Sequence, residues 1–371
     1  MTDALQSALA ATDDFIASNP WREPEIAAVI GAKVKGLMVG YDARWTGAEW
    51  RLDGPPEITV RLPIVNAQTG RTSRTFTQAG KFDGIATGYG KRVLLEHKST
   101  SEDVSDPSAA YWRRLAIDSQ VSKYMLQSWQ SGDKLDGCLF DVIRKPGIRP
   151  KKLAKAALDE ISAKGSYCGF QVAHEEYEAV LRGQGEETPH LYFLRLSAET
   201  LAEPERYYQR RMIPRLDADV IQYADELWQM ADEIRLARIS GRHYRNSAAC
   251  MNFGRACEYL PLCSGEDTPE SDRWQRAENV HGELDGVADG ANVLTNSRLK
   301  VFQTCRRQHY YRYEIGLRRV HEDEAEALYL GTVLHVALAQ WWAEQKGENH
   351  GSTTVAGSAL IEGAESVSAA V

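Results

Sequence analysis

Three runs of alternating apolar and polar residues, all within the first hundred positions, constrain this chain more than any other feature. Residues 57–64 (Glu57-Ile58-Thr59-Val60-Arg61-Leu62-Pro63-Ile64) alternate as a half-buried strand does. Gln68-Thr69-Gly70-Arg71 reads as a turn. Residues 74–86 and 92–98 then read as two further strands, joined by Gly88-Tyr89-Gly90-Lys91. A hairpin centred between Tyr89 and Gly90 sets Asp83 opposite Glu96. Directly opposed residues hold their Cβ atoms ~4.5–5.5 Å apart. Two carboxylates that close repel unless a cation lies between them, and a hard divalent metal with oxygen ligands meets that need. Glu96 and Lys98 are two apart and share a strand face. Lys98 then projects beside the metal, where it lowers the pKa of an attacking water or neutralises charge developing on a phosphate. A register slip of one residue would send one partner to the other face. The competing reading is a solvated polar face carrying an ordinary Glu–Lys pair.

Around the hairpin the pattern alternates between helix and strand. Residues 4–39 carry Ala, Leu and Ile at helical spacing, broken by Ser18-Asn19-Pro20. Residues 108–129 read as one helix with Ile117, Val121, Tyr124 and Met125 along one side. Gln120 and Tyr124 lie one turn apart on that helix. Together they can hydrogen-bond a phosphate or hold the strand that carries Glu96. Residues 136–144 form another strand, 145–155 a solvated Lys/Pro excursion, and 198–238 a mostly helical stretch. Residues 244–276, rich in Cys, Pro, Gly and acidic side chains, suit an irregular segment held by something other than a core. Residues 286–292 read as a linker, 296–319 and 325–345 as helices, and 346–371 as a loose tail. The fold class is therefore α/β, a mixed sheet flanked by helices.

The set Asp83-Gly84, Glu96-His97-Lys98 and Gln120-Val121-Ser122-Lys123-Tyr124 resembles the PD-(D/E)XK nucleases of the RecB-like branch. The resemblance implies a restriction-endonuclease-like sheet. It also implies that Asp83 and Glu96 bind Mg²⁺ or Mn²⁺, that Lys98 serves catalysis, and that Gln120 and Tyr124 belong to the motif that follows on a helix.

Cys250, Cys257 and Cys263 fall within fourteen residues, and Cys305 sits in Phe302-Gln303-Thr304-Cys305. Thiolates gathered in a reducing compartment usually mean metal. The absence of a Cys-x-x-Cys pair is unusual for a zinc ribbon. The iron–sulfur subset of RecB-like nucleases, including AddB-type and CRISPR-adaptation nucleases, is similar: it ligates a [4Fe–4S] cluster with one early cysteine and three late ones, the last two five residues apart. Cys257 and Cys263 match that interval, and the Cys250–Cys257 gap is wider than the usual one. Zn²⁺ and free, partly buried thiols remain the alternatives, as for Cys138 and Cys168.

The family's early element is a Ser-x-Leu…Phe…Cys…Tyr-Tyr…Tyr start followed by Gly-Thr-x-x-His. Here Ser297, Leu299, Phe302, Cys305, Tyr310, Tyr311, Tyr313 and Gly331-Thr332-Val333-Leu334-His335 lie after the core instead of before it. The order therefore reads as a circular permutation, with a truncated second copy as the alternative. On this reading residues 1–243 are the nuclease core, 244–285 the Cys-rich cluster segment, and 286–371 the permuted early helices, packed back on the same domain. The resemblance makes His335 and the His97 carbonyl metal ligands beside Asp83 and Glu96. Without it, His335 is a histidine on the flank of an apolar helix.

The expected activity is metal-dependent DNA hydrolysis, by an exonuclease of single strands or ends, in repair, recombination or phage DNA processing. Arg113, Arg114, Lys123, Arg306 and Arg307 are candidates for phosphate contacts. The alternative is a non-catalytic, cluster-bearing DNA-binding subunit. No Gly-x-x-x-x-Gly-Lys-Ser/Thr occurs, so unwinding is left to a helicase or recombination partner. Composition agrees with a soluble chain: 43% hydrophobic, 26% charged, with no apolar run long enough to span a bilayer. The acidic N-terminus lacks a signal peptide's cationic start, so a cytoplasmic location is expected. The net charge of −8 disfavours coating nucleic acid but not a local basic groove.

Overall fold

The computed structural model describes residues 1–252, 254–282, 284, 292–320 and 325–345. In chain order, α1 (Asp3–Ser18) and α2 (Pro24–Trp45) precede β1 (Arg51–Leu52), β2 (Ile58–Val65), β3 (Thr72–Phe82), β4 (Gly84–Gly88) and β5 (Lys91–Thr100). Then come α3 (Ala110–Arg114), α4 (Ser119–Gln130), β6 (Cys138–Arg144), α5 (Lys155–Lys164), β7 (Ser166–Tyr167), β8 (Phe170–Gln171), α6 (His174–Arg182) and α7 (Pro189–Ala202). After these follow α8 (Pro204–Tyr207), β9 (Tyr208–Ile213) and α9 (Asp217–Ser240). The remainder is β10 (Met251–Asn252), β11 (Arg255–Ala256), α10 (Leu260–Ser264), β12 (Trp274–Arg276), β13 (Val293–Leu294), α11 (Asn296–Thr304), α12 (Arg306–His309), a π turn (Tyr310–Glu314), β14 (Leu317–Arg319) and α13 (Glu326–Ala343).

Among the described residues the main sheet has the order β1-β4-β5-β6-β9, and a second sheet has the order β13-β3-β2. β5 and β6 are parallel, while β4–β5, β6–β9 and β1–β4 are antiparallel. A parallel pair needs a crossover connection, and α3 and α4 supply it. β5 alternates as a strand must. Val93 and Leu95 enter a core shared with α1, α2, α7 and α13. Leu94 on the other face enters a core shared with α4, α9, α11 and the second sheet. The result is a mixed sheet flanked by helices, consistent with a restriction-endonuclease-like fold.

Several elements differ from the sequence expectation. The strand expected over 74–86 is broken at Asp83: β3 pairs with β2, and β4 pairs with β5. The helix expected over 108–129 is interrupted, because Asp118 turns extended and accepts the Gln120 and Val121 N–H groups as the cap of α4. Ile117, assigned to the buried side, is 88% exposed as a consequence. β9 lies inside the stretch expected to be helical, and β14 inside the helix expected over 296–319. Residues beyond 150 build α5, β7, β8 and α6 around a small core of Leu153, Ile161, Tyr167 and Val180. Residues 286–291 of the linker read over 286–292, and the tail 346–371, lie outside the described residues.

α13 packs on α1 and α2 in the first core. Ser7 Oγ lies 3.1 Å from Glu344 Oε1, and the Leu52 N–H donates to the Gln345 carbonyl at 3.2 Å. β13 runs parallel to β3, with Val293 beside Thr77. The C-terminal segment is thus built into both layers. Among the described residues no helix is long and apolar enough to cross a membrane.

Candidate active site

The break between β3 and β4 and the turn after β4 together place Asp83. Tyr89 and Gly90 both take positive φ (51° and 68°), the geometry of a two-residue hairpin turn. The register that follows pairs Gly84 with Leu95, which sets Asp83 across from Glu96. The Asp83 carboxylate accepts the His97 backbone N–H at 2.6 Å. Glu96 is only 3% exposed. Its Oε1 accepts from Gln120 Nε2 at 2.7 Å and pairs with the Lys98 ammonium. Gln120 Nε2 also donates to Tyr124 Oη at 2.8 Å, and that hydroxyl donates to the Lys81 carbonyl at 2.9 Å. One chain of hydrogen bonds therefore ties α4 to both sides of the carboxylate pair.

Charge is crowded in this pocket. Burial pushes the Glu96 carboxyl up, Lys98 opposes the rise and Asp83 adds to it, leaving it at about 7. Burial acts to lower the Lys98 pKa, but attraction to Glu96 prevails and it rises. The structure carries His335 on α13 to the same place, with Nδ1 3.8 Å from Asp83 Oδ1 and its side chain 37% exposed. Burial lowers its pKa, Asp83 pulls the other way, and His97 and Lys98 reinforce the lowering. A cavity of about 220 Å³ opens beside Lys98, lined further by Tyr111, Arg114, Asp118, Gln120 and Lys300.

The His97 side chain leaves this face. Its Nδ1 lies 3.1 Å from Asp141 Oδ2 on the other side of the sheet. Asp141, 1% exposed, also accepts from Arg210 Nε at 3.0 Å, from Trp342 Nε1 at 3.3 Å and from Tyr41 Oη. Burial acts to raise the Asp141 pKa, but Arg210 and the hydrogen bonds prevail and hold it well below the usual carboxylate range. Sequence reasoning missed Asp141, Arg210, Tyr41, Tyr111 and Lys300. The signal available for Asp141 was a lone acid in the otherwise apolar run 138–143.

The phosphate-contact candidates divide. Arg113 and Arg114 are exposed, and Arg114 lines the cavity while pairing with Glu102 at 2.8 Å. Arg306 pairs with Glu233, and Arg307 Nε donates to the His243 carbonyl at 2.6 Å. Lys123 must be corrected. It is fully buried and donates to the Ala79 and Leu294 carbonyls at 2.7 and 2.8 Å, so it stitches β3 to β13 instead of meeting solvent.

The four cysteines come from three places and share one neighbourhood. The Cys257 N–H donates to the Cys250 carbonyl at 2.8 Å, and the Asn246 N–H lies 3.5 Å from Cys305 Sγ. Burial raises the Cys257 thiol, and Cys263 and Cys305 add to the rise. Burial likewise raises Cys263, with Cys305 and Cys250 contributing. Cys138 is fully buried in the core, and Cys168 is half-buried. Among the described residues no three His, Cys, Asp or Glu side chains close to coordination geometry, at the carboxylates or at the thiols. At the carboxylates the donor set still fits Mg²⁺ or Mn²⁺, which are held by one or two carboxylates with water and substrate oxygens completing the shell. Burial and, less strongly, the Asp83 charge raise Glu96, and a bound cation would oppose both.

Residues 293–368 match the family model of the PD-(D/E)XK nuclease superfamily. PD-(D/E)XK proteins are typically metal-dependent nucleases. The matched segment contains Cys305 and His335, and it lies outside the hairpin that carries Asp83, Glu96 and Lys98. No curated protein and no solved structure gives a significant match to the chain.

Proposed function

We propose that this protein is a Mg²⁺- or Mn²⁺-dependent DNA nuclease of the RecB-like PD-(D/E)XK branch, acting on single strands or DNA ends. The observation that carries the reading is the convergence of Asp83, Glu96, Lys98, Gln120, Tyr124 and His335 in one pocket, drawn from the β3–β4 junction, β5, α4 and α13. Asp83, Glu96, the His97 carbonyl and His335 would hold the ion. When bound, it would supply positive charge against the scissile phosphate and an acidified water.

The chain's own residues do the rest. Gln120 fixes the Glu96 carboxylate and is itself held by Tyr124. The raised pKa of Lys98 keeps its ammonium charged at neutral pH, placed to neutralise negative charge that grows on the phosphate. Arg114 and Lys300, on the cavity rim, lie where a neighbouring phosphate would rest.

We further propose that Cys250, Cys257, Cys263 and Cys305 hold a [4Fe–4S] cluster, with Zn²⁺ as the alternative, in a structural role. Support comes from the raised Cys257 and Cys263 thiols, to which neighbouring cysteines contribute, and from the scant core around them. The packing of α13 on α1 supports the permuted order, in which 286–371 completes the core 1–243 and 244–285 is the cluster segment. A helicase or recombination partner would supply unwinding.

The test is cleavage of end-labelled single-stranded DNA with Mg²⁺ by the wild type and by Lys98→Ala. Wild-type cleavage reduced about 10²–10³-fold in the variant is expected, the scale of one lost charge-stabilising group. Equal, slow degradation by both would sink the enzyme reading, and tight binding without cleavage would make the chain a DNA-binding subunit. An anaerobic preparation that is brown and absorbs near ~400 nm would support iron–sulfur over zinc.

A further inference from the structure

A second groove lies away from the carboxylate pocket, where the start of β3 meets α9. It encloses about 470 Å³ and is lined by Arg71, Ser73, Arg74, Trp228, Asp232 and Arg235. Three guanidinium groups face one carboxylate, and that carboxylate is engaged by Arg235 at 3.3 Å. Arg71 and Arg74 are exposed, and among the described residues no carboxylate pairs with either. Ser73 Oγ accepts the Phe76 N–H at 3.1 Å, which leaves its own proton free to donate outward. Trp228 is packed against the core and offers the groove an aromatic surface.

On a chain of net charge −8, a concave site with this excess of unpaired cations is matched to a polyanion. Guanidinium groups beside a hydroxyl donor and an indole face are the chemistry that binds a nucleic-acid backbone and stacks a base. We propose that this groove is a second contact for the DNA substrate, holding a single strand upstream or downstream of the cleavage position. The proposal rests on the nuclease reading and deepens it. β3 is 11 residues long and runs from the groove to Asp83. At ~3.3 Å per residue the two contacts are roughly 35 Å apart. A long strand can reach both, whereas a strand of a few nucleotides cannot.

The experiment is fluorescence anisotropy of a labelled thirty-nucleotide single strand titrated with protein over a series of KCl concentrations, in the Lys98→Ala background with a chelator in place of divalent metal. Loss of two phosphate contacts in Arg71→Ser/Arg74→Ser should reduce the log Kd against log salt slope by about 1.4, since each contact on a single strand contributes ~0.7. Arg71→Lys/Arg74→Lys should keep the slope, because an ammonium also displaces a counterion. The loss should vanish on a four-nucleotide strand. Wild-type-like slope and affinity in the Ser variant on the long strand, with its fold intact by circular dichroism, would overturn the groove proposal alone. Failure of the parent protein to bind or cleave any DNA would overturn the nuclease reading and the groove with it.

Discussion

The carboxylate pocket and the cysteine segment are held together by different means. Every side chain of the pocket stands on, or directly between, elements backed by the two large cores, and most are bonded to one another. Asp83 is fixed by the His97 N–H, Glu96 by Gln120 and Lys98, and Gln120 by Tyr124. The cysteine segment rests on a small core of Tyr259, Leu262, Trp274, Tyr311 and Leu317, and its strands β10 and β11 are two residues each. The fold arranges the first site before any ligand arrives. The second has little packing of its own, so if it holds the proposed cluster, that group would contribute to its folding. Catalytic geometry and segment stability should therefore fail separately.

That separation can be tested in both directions. The largest expected effect is on turnover: Asp83→Ala should cost about 10³-fold or more in kcat, the order expected when a metal and its water are lost. Its thermal melting should stay close to wild type, because the lost His97 N–H hydrogen bond is offset by removing the charge that helps to raise Glu96. A large loss of melting temperature would mean that the pair is structural.

Next comes Asp141→Ala, behind the same strand. Removing one partner of a buried ion pair strands Arg210 and should cost about 3–5 kcal/mol in chemical denaturation. If the cost falls within ~1 kcal/mol, the network does not stiffen the active strand.

A smaller effect is the pH dependence of the metal-free protein. Glu96 has a folded pKa of about 7, above its usual 4.5. The unfolded chain thus releases this proton first. The stability linked to Glu96 is complete below the unfolded value and is lost as pH rises through about 7, with a slope of at most ~1.4 kcal/mol per pH unit. Glu96→Gln should remove that slope in chelator, and Mg²⁺ should flatten it in the wild type. A slope unchanged by either treatment would refute the assignment.

The smallest effect on global melting should come from Cys257→Ala. Here the change should be local: trypsin should cut at Arg245, Arg255 or Arg273 many times faster, while the main transition moves by only a few degrees. A cooperative collapse of the whole protein would show that the two regions share one folding unit.

Much of the pocket was legible in the sequence because hairpins obey simple arithmetic. The turn at Tyr89-Gly90 set the register, and the register set Asp83 against Glu96. The interruption of the strand at Asp83 was not legible, since it depends on β3 and β4 joining different sheets. β9 was missed because Arg210 is buried through its bond to Asp141, and a buried arginine makes a core strand read as polar. Ile117 looked like helix interior until Asp118 proved a better cap than a helical residue. Lys123 looked like a surface cation because nothing local shows that two strand carbonyls await it. His335 was placed beside the carboxylates only by resemblance, as no periodicity links positions so distant in the chain.

That distance has a consequence for timing. The segment bearing Asp83 is made early, and the helix bearing His335 follows about 250 residues later. At ~5–20 residues per second, a nascent chain would carry the carboxylate pair without His335 for roughly 10–50 s. Until residues 293–343 leave the ribosome, β3 also lacks β13 and the first core lacks Trp341 and Trp342. A chain wired in this way can close the pocket around Asp83 and Glu96 only after α13 has been made, long after the hairpin that carries the carboxylates.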